Sequence, residues 1–451
     1  MELRQTVRHI FNKAVDAVSP EKMIEKCIQI TEGIMTVKGV NQMKSFNLSQ
    51  YENIYLVGAG KASGKMAIGL QNVAESYVTK GFVSVKSKIA SDLQNIKMIQ
   101  AGHPVPDTNS IRAGKEILEL CKNAGKQDLV ISLISGGGSA LLEYPLCSRD
   151  FRINLQDIQD TTKLLLDSGA SITEVNTVRK HLSAVKGGRL AEAVYPAHCV
   201  TLILSDVVGD DLSFIASGLT VPDPTSFADT ENVLTSYDIL SLVPDSVKQI
   251  IMAGKKGHIP DTPKQGDSVF EHTDNILLGS NISALQAAAQ EAKSMGFTTV
   301  VLSSRITGES REIAKYYAGI ALDIGHRRST FTPPICLIAG GETTVTIRGN
   351  GLGGRNQEMV LSFAHELKQK PEALNNGIFL SAGTDGNDGP TNSAGGICDK
   401  EVLKAISDKQ VNSAEYLKNN DSYHFLEEVG GQFKPGATNT NVCDIQILIQ
   451  K

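Results

Sequence analysis

The sequence lacks the cysteine pairs that a disulfide scaffold or a thiolate zinc site would need. Its seven cysteines, at 27, 121, 147, 199, 336, 398 and 443, form no CxxC, and even the nearest two, Cys121 and Cys147, are 26 positions apart. Such spacing fits a reducing, cytoplasmic compartment. The nine histidines are equally scattered, with no HExxH or similar ligand spacing. Basic residues are not in excess: 44 Lys and Arg stand against 49 Asp and Glu, a net charge of −5. A nucleic-acid backbone or an anionic membrane is therefore not an expected partner, and any bound anion must be held by a local set of donors. Long apolar runs are missing too. The longest charge-free one, Leu129 to Leu142, holds three glycines and falls short of the roughly 18 residues a membrane span requires. At the N-terminus Val7, Ile10, Phe11, Ala14, Val15 and Val18 recur at helical spacing, with Glu2 and Asp16 among them; this predicts a domain helix, since transit peptides avoid acids and signal peptides need a solid apolar run.

What is present is ordinary globular material, 41% hydrophobic and 21% charged over 451 residues, enough for two or three domains. Glycine is the outlier, 41 residues or about 9% against a usual share of about 7%. Apolar runs end directly in glycine-rich or acidic segments: Asn53 to Val57 before Gly58-Ala59-Gly60-Lys61, Asp128 to Ile134 before Ser135-Gly136-Gly137-Gly138-Ser139, and Val200 to Leu204 before Ser205-Asp206. Amphipathic stretches such as Lys65 to Val78 and Ile111 to Cys121 lie between them. Strand and helix in alternation predict an α/β fold with a parallel sheet, whose ligand loops gather at the carboxyl ends of the strands.

Five of the 15 prolines fall between Pro222 and Pro263. The domain junction is expected there, giving an N-terminal domain over 1–240, a linker region over 241–270 and a C-terminal α/β domain over 271–451. The second series runs from Asn275 to Leu278 through Thr298 to Leu302 and Ile335 to Ala339, with helices between. Two glycine-rich segments, Gly349 to Arg355 and Ser381 to Gly396, interrupt it and read as functional loops.

Gly58-x-Gly60 is only half a dinucleotide fingerprint, and the next strand, Phe82 to Val85, ends in Lys86 where an acid would hold a ribose. Walker A fails because Ala62 follows Lys61. Lys61 nevertheless sits where a strand hands over to a helix, a place suited to phosphate or carboxylate. Gly136, Gly137 and Gly138 let backbone N–H groups converge on an anion, and the hydroxyls of Ser135 and Ser139 add donors, which makes all five candidate phosphate ligands. Asp206, Asp210 and Asp211 lie within six positions after a strand and suit Mg²⁺ or, residue by residue, helix caps. Thr384 to Gly389 imitates a calcium loop, but the position that needs glutamate is Gly396, which excludes an EF-hand.

Longer blocks carry a resemblance. Asn176 to Ser183 with Lys186 to Leu190, Ala216 to Gly218 with Pro222 to Thr225, and Gly340 to Thr344 with Gly353 to Glu358 resemble the class II glycerate 2-kinases, which end in a MOFRL domain. His103 to Asp107, Ser135 to Leu142 and Gly383 to Thr391 match as well, so the likeness spans nearly the whole chain. It implies a Rossmann-like N-terminal domain, a mixed α/β C-terminal domain and an active site in the cleft between them. It also implies ATP-dependent phosphorylation of D-glycerate at the 2-hydroxyl, with ATP as co-substrate and Mg²⁺ as cofactor. Lys61 and Arg355 match the family's two invariant active-site cations. Arg179 and Lys186, within the matched blocks, become candidate substrate or phosphate ligands beside the glycine loop. Metal ligands are sought among Asp206, Asp210, Asp385 and Asp388. The chain departs from the family at Leu219, at Asn392 where an acid is usual, and over Pro435 to Thr440. Two other activities stay open, an NAD(P)-dependent hydroxypyruvate reductase and a non-catalytic phosphosugar-binding module, as does a homodimer.

Overall fold

The computed structural model describes residues 2–87, 89, 93–148 and 150–451. The chain divides into two compact units, one formed by Pro20–Leu278 and the other by Met1–Ser19 with Gly279–Lys451. The first unit opens with a small antiparallel sheet of β1 (Ile28–Thr31), β2 (Ile34–Lys38) and β3 (Met43–Asn47). Its main sheet contains β4 (Asn53–Ala59), β5 (Lys80–Val85), β6 (Ile96–Gln100), β7 (Asp128–Ser135), β8 (His198–Leu204) and β9 (Thr273–Gly279), in the order β6-β5-β4-β7-β8-β9. β4 to β8 are mutually parallel. All eight residues of β7 are buried, as expected of a central parallel strand covered on both faces.

Helices start where short polar side chains can cap them. Asp107 with Ser110, Asn154 with Asp157, Ser171 with Glu174 and Ser226 with Asp229 each form a reciprocal capping box, which satisfies backbone N–H groups that have no partner inside the helix. The helices Leu155–Asp167, Ile172–Leu182, Phe227–Ser236 and Asp245–Lys255 share a second core of this unit, built on Leu165, Val178, Phe227 and Ile250. The linker expected over 241–270 is therefore corrected. It contains one of these packed helices, and Asn275–Leu278 belongs to β9 of the first sheet. Proline content marked a stretch of short connections, not a boundary.

The second unit contains β10 (Thr298–Ile306), β11 (Ile335–Gly341), β12 (Gly377–Gly383), β13 (Gly395–Asp399), β14 (Gln432–Phe433) and β15 (Asp444–Gln450). Their order is β10-β11-β15-β12-β13-β14, and only the β10–β11 pair is parallel. Phe363 and Phe379 stack at 4.3 Å in its core. The glycine-rich run Ser381 to Gly396 is not a loop throughout: its two ends lie in the buried strands β12 and β13. Glycine there serves close packing, since an added Cβ on Gly395 would lie 1.9 Å from the Ser381 carbonyl oxygen.

Candidate active site

Counted from β4, the main sheet of the first unit runs 3-2-1-4-5-6, and its order reverses between β4 and β7. Such a reversal opens a crevice at the carboxyl ends of the strands, where ligands bind. Both glycine loops singled out in the sequence leave the sheet there, one from β4 and one from β7. They are fastened to each other. The Lys61 N–H donates to the Gly136 carbonyl at 2.9 Å, and the Ala62 N–H donates to Ser135 Oγ at 3.0 Å. Ser63 Oγ donates to the Leu133 carbonyl at 2.9 Å. Gly60 has φ +148°, and a Cβ there would fall 2.0 Å from Ser135 Oγ, so the close approach admits only glycine. Ser135 is thus a buried fastener, which corrects its assignment as a phosphate ligand.

Side chains from three strand ends converge on the loop after β7. The Asp206 carboxylate, just past β8, lies over Gly136, 1.6 Å from where a Cβ would stand. Gly137, at φ +79°, has His103 Nε2 3.0 Å and Lys61 Cε 3.2 Å from its own Cβ position. Burial pushes the Asp206 carboxyl up, and Lys61 pulls it back. Burial, then Lys61 and Lys86, push His103 down to about 4, so its imidazole is neutral at pH 7. Lys61, Gly136, Gly137 and Asp206 are therefore brought together as expected. His103 joins them although no ligand pattern in the sequence singles it out; only its place in the His103 to Asp107 block points to it. Gly138 packs against Ala216, 2.7 Å from Cβ to Cβ position. Ser139 Oγ lies 2.8 Å from Ser217 Oγ, which donates to Asn176 Oδ1 at 3.0 Å. Ser217 has one hydroxyl proton, so Ser139 must donate to it, and only the lone pairs of Ser139 remain for a ligand.

Arg179 and Lys186 part company. Arg179, on the helix Ile172–Leu182, is half-buried, and its side chain makes no hydrogen bond or ion pair with the described residues; burial lowers its pKa and the nearby Glu143 opposes this. Lys186 is wholly buried, with Nζ 2.5 Å from Glu143 Oε2 and 3.1 Å from the Leu142 carbonyl. That ion pair uses its charge inside the protein, and the candidate ligand role for Lys186 is corrected to a structural one.

In the second unit the register places Asp444 of β15 opposite both Gly341 of β11 and Gly383 of β12. Arg355, the first residue of the helix Arg355–Leu367, grips Asp444 with Nε at 2.6 Å and Nη2 at 2.9 Å, while Nη1 lies 3.1 Å from Glu342 Oε1. Asp444 is fully buried. The fork still keeps an N–H on each terminal nitrogen for a ligand. Glu358, the neighbour one turn on, pairs instead with Arg311 at 2.9 Å.

The four carboxylates proposed for metal do not form one cluster. Among the described residues no three His, Cys, Asp or Glu side chains are grouped to hold an ion. Asp206 and Asp210 belong to the first unit, Asp385 and Asp388 to the second. Asp388 is buried, and its two oxygens accept from the Asn356 and Gln357 N–H groups at 3.2 and 2.9 Å and from both side-chain amides. It caps the helix that Arg355 begins, and burial with Asp444 nearby pushes its carboxyl up to about 6 against those hydrogen bonds. The metal role for Asp388 is corrected accordingly. Asp385 Oδ1 accepts the Asn387 N–H at 2.9 Å, closing a turn.

Comparison with known proteins places the chain in company. Residues 6–252 match the domain of unknown function DUF4147, and residues 335–444 match the MOFRL family. The chain is 39% identical over 450 residues to the glycerate 2-kinase of Pyrococcus horikoshii, covering 100% of this chain and 98% of that protein. It is 38% identical over 446 residues to the D-glycerate 2-kinase of Thermotoga maritima, covering 99% and 98%. The crystal structure of glycerate kinase from Thermotoga maritima superimposes with a TM-score of 0.85 at 37% identity, over 100% of this chain and 99% of that one.

Proposed function

The chain belongs to the glycerate kinases that carry a C-terminal MOFRL domain, and we infer from that membership that it transfers the γ-phosphoryl group of ATP to the 2-hydroxyl of D-glycerate. The O2–P bond forms as the bond from phosphorus to the leaving ADP oxygen breaks, and the hydroxyl proton is released; the products are 2-phosphoglycerate and ADP. The observation that carries this reading is the convergence of Lys61, His103 and Asp206 on Gly136 and Gly137 at the switch point. Phosphoryl transfer asks the protein mainly for positioning and charge neutralisation.

Lys61 and the glycine-loop amides serve the transferring phosphoryl group. Arg179, half-buried without an ion-pair partner among the described residues, holds the carboxylate of glycerate. Arg355, held in orientation by Asp444, keeps an N–H on each terminal nitrogen for an anionic ligand. Mg²⁺ binds with one or two carboxylates plus waters and substrate oxygens, and Asp206 beside Lys61 fits that need; Asp210, four residues on, is the next candidate. When bound there, Mg²⁺ would neutralise charge on the phosphate oxygens. Seven free cysteines suit a reducing compartment such as the cytoplasm, and among the described residues no helix is long and apolar enough to cross a membrane.

The purified protein with Mg²⁺, ATP and D-glycerate should give a signal when coupled through enolase alone, which reads the 2-phosphate. A product that enolase cannot use until a phosphoglycerate mutase is added would refute the assignment.

A further inference from the structure

An open cavity of about 650 Å³ lies at the carboxyl ends of β5 and β6, lined among the described residues by those between Lys86 and Arg112. It falls within the roughly 300–1,000 Å³ of ordinary ligand pockets. A three-carbon acid would leave most of it to water, whereas a nucleotide would fill it. Among the described residues three cations line it: Lys86 just past β5, Lys97 in β6, and Arg112 in the helix Thr108–Lys122. Among the described residues the acid on its wall is Asp107, which already accepts the Ser110 N–H at 2.9 Å as the cap of that helix. Met98 and Ile99 add apolar surface.

Position gives the cavity its meaning. β4, β5 and β6 are the first, second and third strands of the sheet, the half of such a fold that receives a mononucleotide. Lys86 follows β5 where a dinucleotide enzyme places an acid against the ribose; a lysine there offers a positive charge to an anionic ligand instead. His103 belongs to both places, lining the cavity and lying 3.0 Å from the Cβ position of Gly137. Through His103 the cavity adjoins the loop that Lys61 touches.

Resting on the kinase reading, we infer that this cavity seats the ADP portion of ATP, with Lys86 and Arg112 on its phosphates and the γ-phosphate carried on to Lys61 at the glycine loop. Glycerate then approaches from the Ser139 side of that loop, which Ser217 joins to Asn176 on the helix Ile172–Leu182 that also carries Arg179.

Calorimetric titration of the whole protein with the non-hydrolysable analogue AMP-PNP tests this without turnover. In Lys86→Glu/Arg112→Glu the Kd should rise by about tenfold or more, the loss of at least one charge-assisted hydrogen bond, with glycerate KM unchanged. Unchanged AMP-PNP affinity in the folded variant overturns the inference, and so does a rise in glycerate KM alone. If the double variant does not fold, the single variant Arg112→Glu, at an exposed helix position, decides by the same readings. The two failures are distinct. A wild-type protein that binds AMP-PNP in this cavity yet does not phosphorylate D-glycerate refutes the activity and keeps the site; an active enzyme whose variants bind AMP-PNP normally refutes the site and keeps the activity.

Discussion

Arg179 and Lys186 stand seven positions apart in one sequence block and carry the same charge, so residue type gave them equal weight. What separates them is the partner each finds. Lys186 meets Glu143, itself 2% exposed, and burial pushes the lysine's pKa down while Glu143 holds it up. Removing one member of a buried pair leaves the other unpaired and costs about 3–5 kcal/mol. Lys186→Met should therefore lower the urea midpoint sharply, and adding Glu143→Gln should restore most of the loss together with normal glycerate KM. If KM stays raised in the double variant, Lys186 touches substrate after all. The sequence could not make this distinction, because the acid that neutralises the lysine lies 43 positions away across a loop–helix junction.

Elements were more legible than pairings. Runs of apolar residues ending in glycine located β4, β7 and β8 and the two loops at the switch point, because strand ends and tight turns are written in adjacent residues. Register is not. Asp444 opposes Gly341 and Gly383 only once β15 is inserted between β11 and β12, and no local pattern announces that strand order. The acids of the second unit were misread for the same reason: Asp388 looked like a metal ligand in a glycine-rich loop, yet it closes the start of a helix that begins 33 positions earlier, at Arg355. Asp388→Ala should cost about 2 kcal/mol, as loss of a strong cap does, and the Mg²⁺ concentration for half-maximal activity should not move. A strong rise in that concentration, with stability intact, would return Asp388 to the metal.

At the scale of the whole molecule, sequence position and structural membership diverge at the N-terminus. The helix Leu3–Ala17 was correctly expected as a domain helix, but it packs in the unit formed by residues 279–451 and not in the unit that follows it in the chain. Its apolar face, Val7, Ile10, Phe11 and Ala14, is fully buried. Phe11 meets Phe433 edge-on at 5.1 Å, Arg8 lies over the same ring at 4.9 Å, and Arg4 grips Asp399 at 2.6 and 2.9 Å. Thr440 Oγ1 donates to the Val18 carbonyl at 2.7 Å. Burying a large apolar side chain contributes about 1.5–3 kcal/mol, so Val7, Ile10 and Phe11 alone contribute about 5 kcal/mol or more, close to the whole stability of many domains. A fragment of residues 279–451 should then be unfolded or molten by far- and near-ultraviolet circular dichroism. The same fragment with residues 1–19 joined to its C-terminus through a flexible linker should unfold cooperatively in urea. Cooperative unfolding of the bare fragment at the same midpoint would show that the helix only decorates the unit, and the division of the chain would have to be redrawn at its first boundary.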